Sequence, residues 1–158
     1  MLVKLMVSAL IVVILLSGCN KKNQQINFIR EMKDSMMATE QAFSLLSVAK
    51  GTRKALIEYI DSNGVLLRPN SFPLIAADAI DFISQANDSS YTMIWQSKGG
   101  NVANSGELGY TYGMYSISPK NKDTVLYGTY VNIWKKQLNG KWKLLLDSGN
   151  DGIKAIDN

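Results

Sequence analysis

The stretch Ser105–Asn150 constrains the fold most, because its turns and apolar runs predict three consecutive antiparallel strands. Asn139-Gly140 lies between the runs Val131–Leu138 and Trp142–Leu146. Asn-Gly favours a two-residue type I′ turn, in which both positions need a positive φ. A longer polar connection, Pro119–Asp123, separates two runs rich in Tyr, Thr and Val, the residue types that pack well on a pleated surface. The predicted order is strand, loop, strand, tight turn, strand.

The N-terminus has the pattern of a secretion signal. Lys4 precedes the apolar run Leu5–Leu16, which is shorter than the roughly 20 residues that span a bilayer core. The run ends in Leu16-Ser17-Gly18-Cys19, which resembles the lipobox of bacterial lipoproteins, whose cysteine is acylated and becomes the first mature residue. The alternative is an ordinary signal or membrane anchor with a chance cysteine. We expect residues 1–18 to be a lipoprotein signal peptide and Cys19 to be the lipidation site.

Acylation of Cys19 would hold the protein on a lipid bilayer, since two or more acyl chains anchor stably where one does not. Residues 19–25 then form a short polar tether between the lipid and the fold. Asn20, rather than an aspartate, follows the cysteine, which in a Gram-negative host favours the outer membrane facing the periplasm. The predicted location is therefore the bacterial cell envelope.

Charge and composition argue against several classes of partner. The formal net charge is only +4, and the lysines and arginines form no basic helix or aromatic-basic module, which disfavours nucleic acid. The chain has no histidine and one cysteine, so a metal site is not expected. No cofactor is predicted.

Helices come first in the chain and strands afterwards, which is the α+β pattern. Apolar spacing predicts one long helix, or two joined near Ala38-Thr39, within residues 26–50, then helices over 52–60 and 72–86. A turn over 61–64 and a short strand, Val65–Leu67, separate the second and third helices. A further strand begins at Tyr91, and Gly99-Gly100 predicts a bulge or sharp bend in it. We expect one domain over 26–150, with three helices packed on a strongly curved antiparallel sheet, and a tail over 151–158.

Both faces of the middle strand carry apolar groups. Tyr130, Asn132 and Trp134 share one face, and Val131 and Ile133 lie on the other. A sheet with one solvated face would alternate apolar with polar residues. The face without helices is therefore predicted to meet a second subunit in a homodimer.

A family resemblance agrees with this pattern over roughly residues 40–150. The chain resembles the SnoaL-like, ketosteroid-isomerase-related members of the nuclear transport factor 2-like superfamily. The resemblance rests on the segments Ala42-Phe43-Ser44, Lys50-Gly51-Thr52, Gly64-Val65-Leu66-Leu67-Arg68-Pro69, Ser105-Gly106-Glu107-Leu108-Gly109-Tyr110-Thr111-Tyr112-Gly113, Gly128-Thr129-Tyr130-Val131 and Gly140-Lys141-Trp142-Lys143. It implies an α+β cone in which three helices close one side of a bent sheet and leave a pocket at the mouth, often in a dimer.

The same resemblance argues against isomerase chemistry. Steroid isomerases of the superfamily carry their base just before a proline at the end of the first short strand, and here that position holds Arg68. A guanidinium cannot abstract a proton. Arg68 could meet a ligand carboxylate, while pairing with a local acid such as Asp61 or Asp147 is the simpler interpretation. Asp147, near the end of the last strand, is the best remaining acid for an enzyme.

Three classes of function follow from these residues. The favoured one is a small-ligand-binding domain without a catalytic residue, whose ligand is apolar and either anionic or carbonyl-bearing. The alternatives are an isomerase- or dehydratase-like enzyme and a dimeric protein-interaction module. The candidate ligand-binding residues are Arg68, Trp95, Tyr112, Tyr130 and Asp147.

Overall fold

The computed structural model describes residues 2–152, with side chains described from residue 22 onward. Three helices are followed, for the most part, by strands. The helices are α1 Leu2–Lys50, α2 Thr52–Tyr59 and α3 Ala77–Gln85, and the strands are β1 Ile60–Leu67, β2 Leu74–Ile75, β3 Tyr91–Val102, β4 Leu108–Pro119, β5 Leu126–Lys136 and β6 Trp142–Asp151. The α+β class predicted from the sequence is confirmed. Of the predicted tail over 151–158, the part from residue 153 on lies outside the described residues.

The first helix is continuous, which settles the alternative that the apolar spacing left open. It runs from Leu2 to Lys50 without a break near Ala38-Thr39, and it includes the predicted tether. It ends at Gly51, whose φ is 91°. A side chain would be strained at this φ, and its Cβ would lie 2.6 Å from the Asp88 carboxylate. That carboxylate accepts a hydrogen bond from the Arg53 amide at 2.8 Å, so it caps the first turn of α2.

The six strands of the described residues form one sheet in the order β2-β1-β6-β5-β4-β3. The predicted all-antiparallel sheet is wrong at one pairing, because β1 runs parallel to β6, with Leu66 opposite Asp147. The strands β3 to β6 form an antiparallel meander, as the sequence predicts for its last three strands. No hairpin turn joins β1 to β6, so no local signal fixes their relative direction. The result is a mixed sheet.

The third helix begins later than predicted. Leu74 and Ile75 form the short strand β2 instead, paired with Leu66 and Val65 of β1. Ala76 follows with a φ of 51°, and its amide donates to the Gly64 carbonyl at 2.9 Å. A residue with positive φ cannot continue a right-handed helix, so α3 starts only at Ala77.

The predicted turn over 61–64 lies inside β1. The register jumps from Ile60 opposite Leu144 to Val65 opposite Leu146, so three residues bulge out of the strand. The Asn63 amide donates to the Asp61 carboxylate at 2.9 Å, as in an Asx turn. The local turn chemistry is therefore present, but it interrupts a strand and does not end one.

Two features of the meander test the turn predictions. The bend at Gly99-Gly100 is confirmed, since the register of β3 against β4 shifts between Ser97 and Gly99. The type I′ turn at Asn139-Gly140 is wrong: Gly140 has a φ of 82°, but Asn139 is not among the residues with positive φ. The Gly140 amide donates to the Gln137 carbonyl at 2.9 Å, and the Gln137 amide to the Lys141 carbonyl at 2.8 Å. The hairpin is a turn over 137–140 whose glycine forms a bulge, which needs one positive φ and not two.

Helix α1 covers the free edge of β3. The Ser44 hydroxyl donates to the Trp95 carbonyl at 2.7 Å and accepts from the Trp95 amide at 3.0 Å, and the Ser47 hydroxyl donates to the Met93 carbonyl at 3.1 Å. These bonds satisfy backbone groups that an edge strand otherwise presents to solvent. Phe43 packs edge-on against Trp95 and Trp134, with ring centroids 4.5 and 5.9 Å away. The core thus lies between α1 and the concave face of the sheet.

Candidate functional site

A cavity opens where α2, α3 and the ends of β1, β3 and β6 meet. Its outer part, the mouth, has a volume of about 330 Å³. Its inner part, the chamber, has a volume of about 50 Å³ and lies beneath α2. Seven residues line both parts, so the chamber and the mouth are neighbouring spaces: Thr52, Leu56, Arg68, Met93, Tyr115, Tyr130 and Asp147.

Arg68 and Asp147 form an ion pair between the mouth and the chamber. The Arg68 Nη1 lies 2.5 Å from the Asp147 Oδ1, and the two side chains are 25% and 19% exposed. The same nitrogen donates to the carbonyls of Leu67 at 3.1 Å and Asp147 at 3.4 Å. Pairing with a local acid, the simpler of the two sequence interpretations, is therefore confirmed. The pair joins β1 to β6, and the charge of Arg68 is balanced by that of Asp147.

Tyr115 brings a second acid to the mouth. Its hydroxyl donates a short hydrogen bond to the Asp151 carboxylate. Burial, and then this hydrogen bond and the charge of Asp151, raise the pKa of the Tyr115 hydroxyl. The charged side chains that line the mouth are two arginines and two aspartates, so its formal charges balance: Arg53, Arg68, Asp147 and Asp151.

Tyr130 reaches into the base of the cavity from β5. The residue is 8% exposed, and its hydroxyl oxygen makes no hydrogen bond to any described residue. Burial, and then the charge of Glu40 and the approach of its carboxylate to the hydroxyl, raise the pKa of this hydroxyl. Glu40 is close enough to exert that effect, but the two groups do not meet in hydrogen-bond geometry. Tyr130 therefore keeps its proton and presents a buried, unpartnered hydroxyl.

The most unusual group behind the cavity is Glu40 of α1, a carboxylate only 1% exposed. Its Oε1 accepts from the Trp95 indole at 2.7 Å, and its Oε2 accepts from the Trp134 indole at 2.9 Å and the Thr111 hydroxyl at 2.5 Å. The Asn132 amide nitrogen lies 3.3 Å from both oxygens. Among the described residues no lysine or arginine pairs with it. Neutral donors from three strands therefore hold a buried acid.

Asn132 is oriented by this network. Its Nδ2 points at Glu40, which can only accept from it, so its Oδ1 is turned away. The Oδ1 is buried and makes no hydrogen bond within the described part of the chain. Asn132 and Tyr130 both line the chamber. An unpartnered acceptor and an unpartnered hydroxyl therefore belong to one small space.

Four of the five predicted ligand-binding residues come together at the cavity: Arg68, Trp95, Tyr130 and Asp147 line the chamber. The fifth, Tyr112, is 49% exposed on the opposite face of the sheet. Alternate residues of a strand face opposite sides, and in β4 it is Thr111 and Tyr115 that face inward. The placement of Tyr112 in the site is therefore corrected. The lipidation site predicted at Cys19 lies outside the residues whose side chains are described.

Sequence reasoning did not single out Glu40, Asn132 or Tyr115 as site residues. A signal for Glu40 was present, because it lies on the same helical stripe as the apolar Met36 and Phe43, where a charged side chain is unexpected. Asn132 and Tyr115 carry no comparable local signal. They become site residues only through the register of β4 and β5.

Two negative findings concern residues 22–152, whose side chains are described. No helix in this range is both long and apolar enough to cross a membrane. The same range contains no cluster of three or more acidic or cysteine side chains arranged to hold a metal ion.

Comparison with known proteins gives the fold and little else. No protein-family model matches the chain, and no curated protein matches it. Among solved structures, a ketosteroid isomerase-like protein from Erwinia carotovora atroseptica superposes with a TM-score of 0.63 at 15% identity, covering 78% of this chain and 98% of that one. An NTF2-like protein with a cystatin-like fold from Novosphingobium aromaticivorans gives a TM-score of 0.60 at 11% identity, with coverages of 85% and 88%.

A third structure points the same way. An NTF2-like protein of unknown function from Prochlorococcus marinus gives a TM-score of 0.57 at 13% identity and covers 78% of this chain and 94% of that one. At such identities similarity establishes the fold and not the activity. The chain therefore has the nuclear transport factor 2-like fold, the fold of the ketosteroid isomerase-like proteins that its sequence resembles.

Proposed function

We propose that this domain binds a small, largely apolar molecule in the cavity of the cone and does not convert it. The observation that carries the proposal is the Tyr130 hydroxyl, which is buried without a partner beside a chamber that adjoins an open mouth. An unsatisfied buried polar group costs about 1–3 kcal/mol, so such groups persist where a ligand or ordered water completes them. The mouth, at about 330 Å³, is in the usual size range of ligand pockets.

The cavity offers groups for binding more clearly than groups for proton transfer. Arg68 stands where the resemblance places the base of a steroid isomerase. Asp147, the acid on which the enzyme alternative depends, has its Oδ1 engaged with Arg68 at 2.5 Å. Tyr115 and Asp151 are hydrogen-bonded to each other. Binding without turnover is the function that these contacts support best.

Blocking the cavity from α2 tests the proposal. Leu56 lines both the chamber and the mouth, whereas its neighbour Ile57 is on the exposed side of the same helix. We expect Leu56→Trp to abolish binding of a neutral probe, acetophenone, in saturation-transfer NMR. Ile57→Trp is the matched control and should bind as the unaltered protein does. Equal binding by both variants, or no binding by the unaltered protein, would contradict the proposal.

A second measurement can reveal the natural ligand. Native mass spectrometry of the purified protein should show a co-purified small molecule, and its signal should be lost from Leu56→Trp and kept in Ile57→Trp. A mass that follows the protein in both variants would place the molecule outside the cavity.

We also propose that the domain is held at a membrane of the bacterial envelope through acylated Cys19. The support is the sequence Leu16-Ser17-Gly18-Cys19 after an apolar run. Cys19→Ala should leave residues 1–18 uncleaved at this site and prevent acylation. Cell fractionation and intact-mass measurement test this, and an unchanged membrane association together with an unmodified Cys19 in the normal protein would refute it.

A further inference from the structure

We infer that the chamber takes the ammonium head of an amine ligand. The inference rests on the proposed binding function and adds the chemical class of the ligand. It departs from the anionic or carbonyl-bearing ligand expected from Arg68 in the sequence. The argument starts from Glu40, since that side chain decides both the hydrogen bonds and the charge around the chamber.

Each neighbour that contacts Glu40 brings a hydrogen-bond donor to it. An indole N–H can only donate, and Trp95 and Trp134 supply one to each carboxylate oxygen. The Thr111 hydroxyl and the Asn132 amide nitrogen occupy further acceptor positions. The two indoles and the amide nitrogen can only donate, so this arrangement suits a carboxylate that accepts at both oxygens. The buried charge is solvated by dipoles and not balanced by a cation.

The network determines which hydrogen-bonding groups a ligand in the chamber must carry. Asn132 cannot be turned over without placing its carbonyl oxygen against the Glu40 carboxylate, so the Oδ1 stays the free end of that side chain. This atom can only accept a hydrogen bond. The Tyr130 hydroxyl is also unpartnered, and its oxygen can accept as well as donate. A head group with several N–H donors satisfies both, whereas a carboxylate has no donor for Asn132.

The charges around the cavity favour the same head group. Glu40 contributes a buried negative charge that no described lysine or arginine pairs with. At the mouth the charges of Arg53 and Arg68 balance those of Asp147 and Asp151, so the buried Glu40 carboxylate decides the sign of the field at the chamber. In a low-dielectric interior such charges are weakly screened, so an ammonium is attracted and a carboxylate repelled.

The shape and walls of the chamber are also suitable. Its volume, about 50 Å³, exceeds the roughly 10–15 Å³ that a cavity needs to hold one water and suits an ammonium with its first methylene. The rings of Phe43, Trp95 and Tyr115 line it, and aromatic faces attract cations. The apolar remainder of the ligand then occupies the mouth against Leu56 and Met93.

Three probes of one shape test the inference on the full-length protein at neutral pH: benzylamine, benzyl alcohol and benzoate. Binding is followed by calorimetry and by the fluorescence of Trp95 and Trp134. We expect benzylamine to bind about tenfold or more tightly than benzyl alcohol, as one charge-assisted hydrogen bond predicts, and benzoate to bind most weakly. Equal affinity for the amine and the alcohol, or tighter binding of benzoate, overturns the inference while the binding function stands. No binding by any probe overturns both.

A matched pair of variants locates the amine. Tyr130→Phe removes the hydroxyl at the chamber, and Tyr127→Phe removes an exposed hydroxyl from the same strand. We expect Tyr130→Phe to weaken benzylamine about tenfold, and Tyr127→Phe to leave it unchanged. The fluorescence response to the amine should be lost in the first variant at concentrations that saturate the second. Equal affinities in the two variants would place the amine elsewhere and overturn the inference.

Discussion

The two faces of β4 and β5 differ in the kind of partner that their side chains lack. On the inner face, Thr111, Asn132 and Trp134 form a polar network with Glu40 of α1. Tyr115 and Tyr130 are buried on the same face. The outer face of the same strands is apolar and exposed, with Tyr110, Tyr112, Met114, Tyr127 and Val131 each more than a third exposed. The inner face therefore has polar groups without hydrogen-bond partners, whereas the outer face has apolar side chains exposed to solvent.

The difference between these faces separates two kinds of missing partner. Exposed apolar area is non-directional, so almost any apolar surface, including a second copy of the chain, relieves it. An unpartnered Tyr130 hydroxyl or Asn132 oxygen requires a group of defined chemistry at a defined place. The inner face can therefore be assigned a chemical class of ligand. For the outer face only an apolar contact of unspecified chemistry can be predicted.

The largest effect is expected from Glu40, because its removal leaves donors from Trp95, Trp134, Thr111 and Asn132 unsatisfied in the core. Glu40→Leu should lower the free energy of unfolding by about 3–5 kcal/mol, measured by urea denaturation. Glu31→Leu, at an exposed position of the same helix, is the control and should change it by less than about 0.5 kcal/mol. A small effect of Glu40→Leu would show that the network is not satisfied through this carboxylate.

A smaller effect is expected at the mouth. Arg68→Ala should cost about 1–2 kcal/mol, because it leaves the half-buried Asp147 without its partner and removes donors to two carbonyls. A double-mutant cycle with Asp147→Ala separates these contributions, and we expect a coupling energy of about 1 kcal/mol. Additive effects of the two substitutions would mean that the ion pair does not contribute to stability.

Alkaline pH should weaken the inner face in particular. Tyr115 and Tyr130 hold their protons more tightly in the folded state than in the unfolded chain, because burial raises both pKa values above 10.0. Below about pH 10 both hydroxyls stay protonated in the folded and unfolded states, and as the pH rises further their ionisation increasingly favours the unfolded chain. Unfolding free energies measured between about pH 8 and pH 11 should fall, and Tyr130→Phe should reduce the slope. An identical slope in that variant would contradict the assignment.

The outer face should affect association and hardly affect stability. We predict that light scattering of the normal protein gives a homodimer and that Val131→Lys, at the centre of the exposed apolar face, gives a monomer. Asp81→Lys, on the exposed side of α3, is the control and should stay dimeric. A normal protein that is monomeric at a concentration of tens of micromolar would contradict the prediction.

Local signals account for the parts of the fold that the sequence predicted correctly. The α+β order, the end of α1 at Gly51 and the bend at Gly99-Gly100 all follow from residues within a few positions of the feature. Leu74-Ile75 was misjudged because its apolar spacing suits a helix, whereas its pairing with Val65 and Leu66 makes it a strand. The parallel pairing of β1 with β6 depends on elements far apart in the chain and has no local signal.

The residues of the candidate site also divide into those that a local sequence signal identified and those that only the fold brings together. Arg68 and Asp147 were identified because each lies at a strand end, and β1 and β6 bring them together. Tyr112 was misplaced because the inward parity of β4 is set by its register with β5. Glu40 was missed although its position on an apolar stripe was visible, since its donors come from three strands that only the fold assembles.

The central claim is that the Tyr130 hydroxyl awaits a ligand in the free protein, and the unfolding free energy of Tyr130→Phe without any ligand tests it most directly. Removing a hydroxyl that has no partner breaks no hydrogen bond within the protein. The variant should therefore be as stable as the normal protein or more stable by up to about 1 kcal/mol. Tyr127→Phe, on the outer side, should leave stability within about 0.5 kcal/mol. A loss of more than about 1 kcal/mol in Tyr130→Phe would show that the hydroxyl is already satisfied inside the protein, and would contradict the claim.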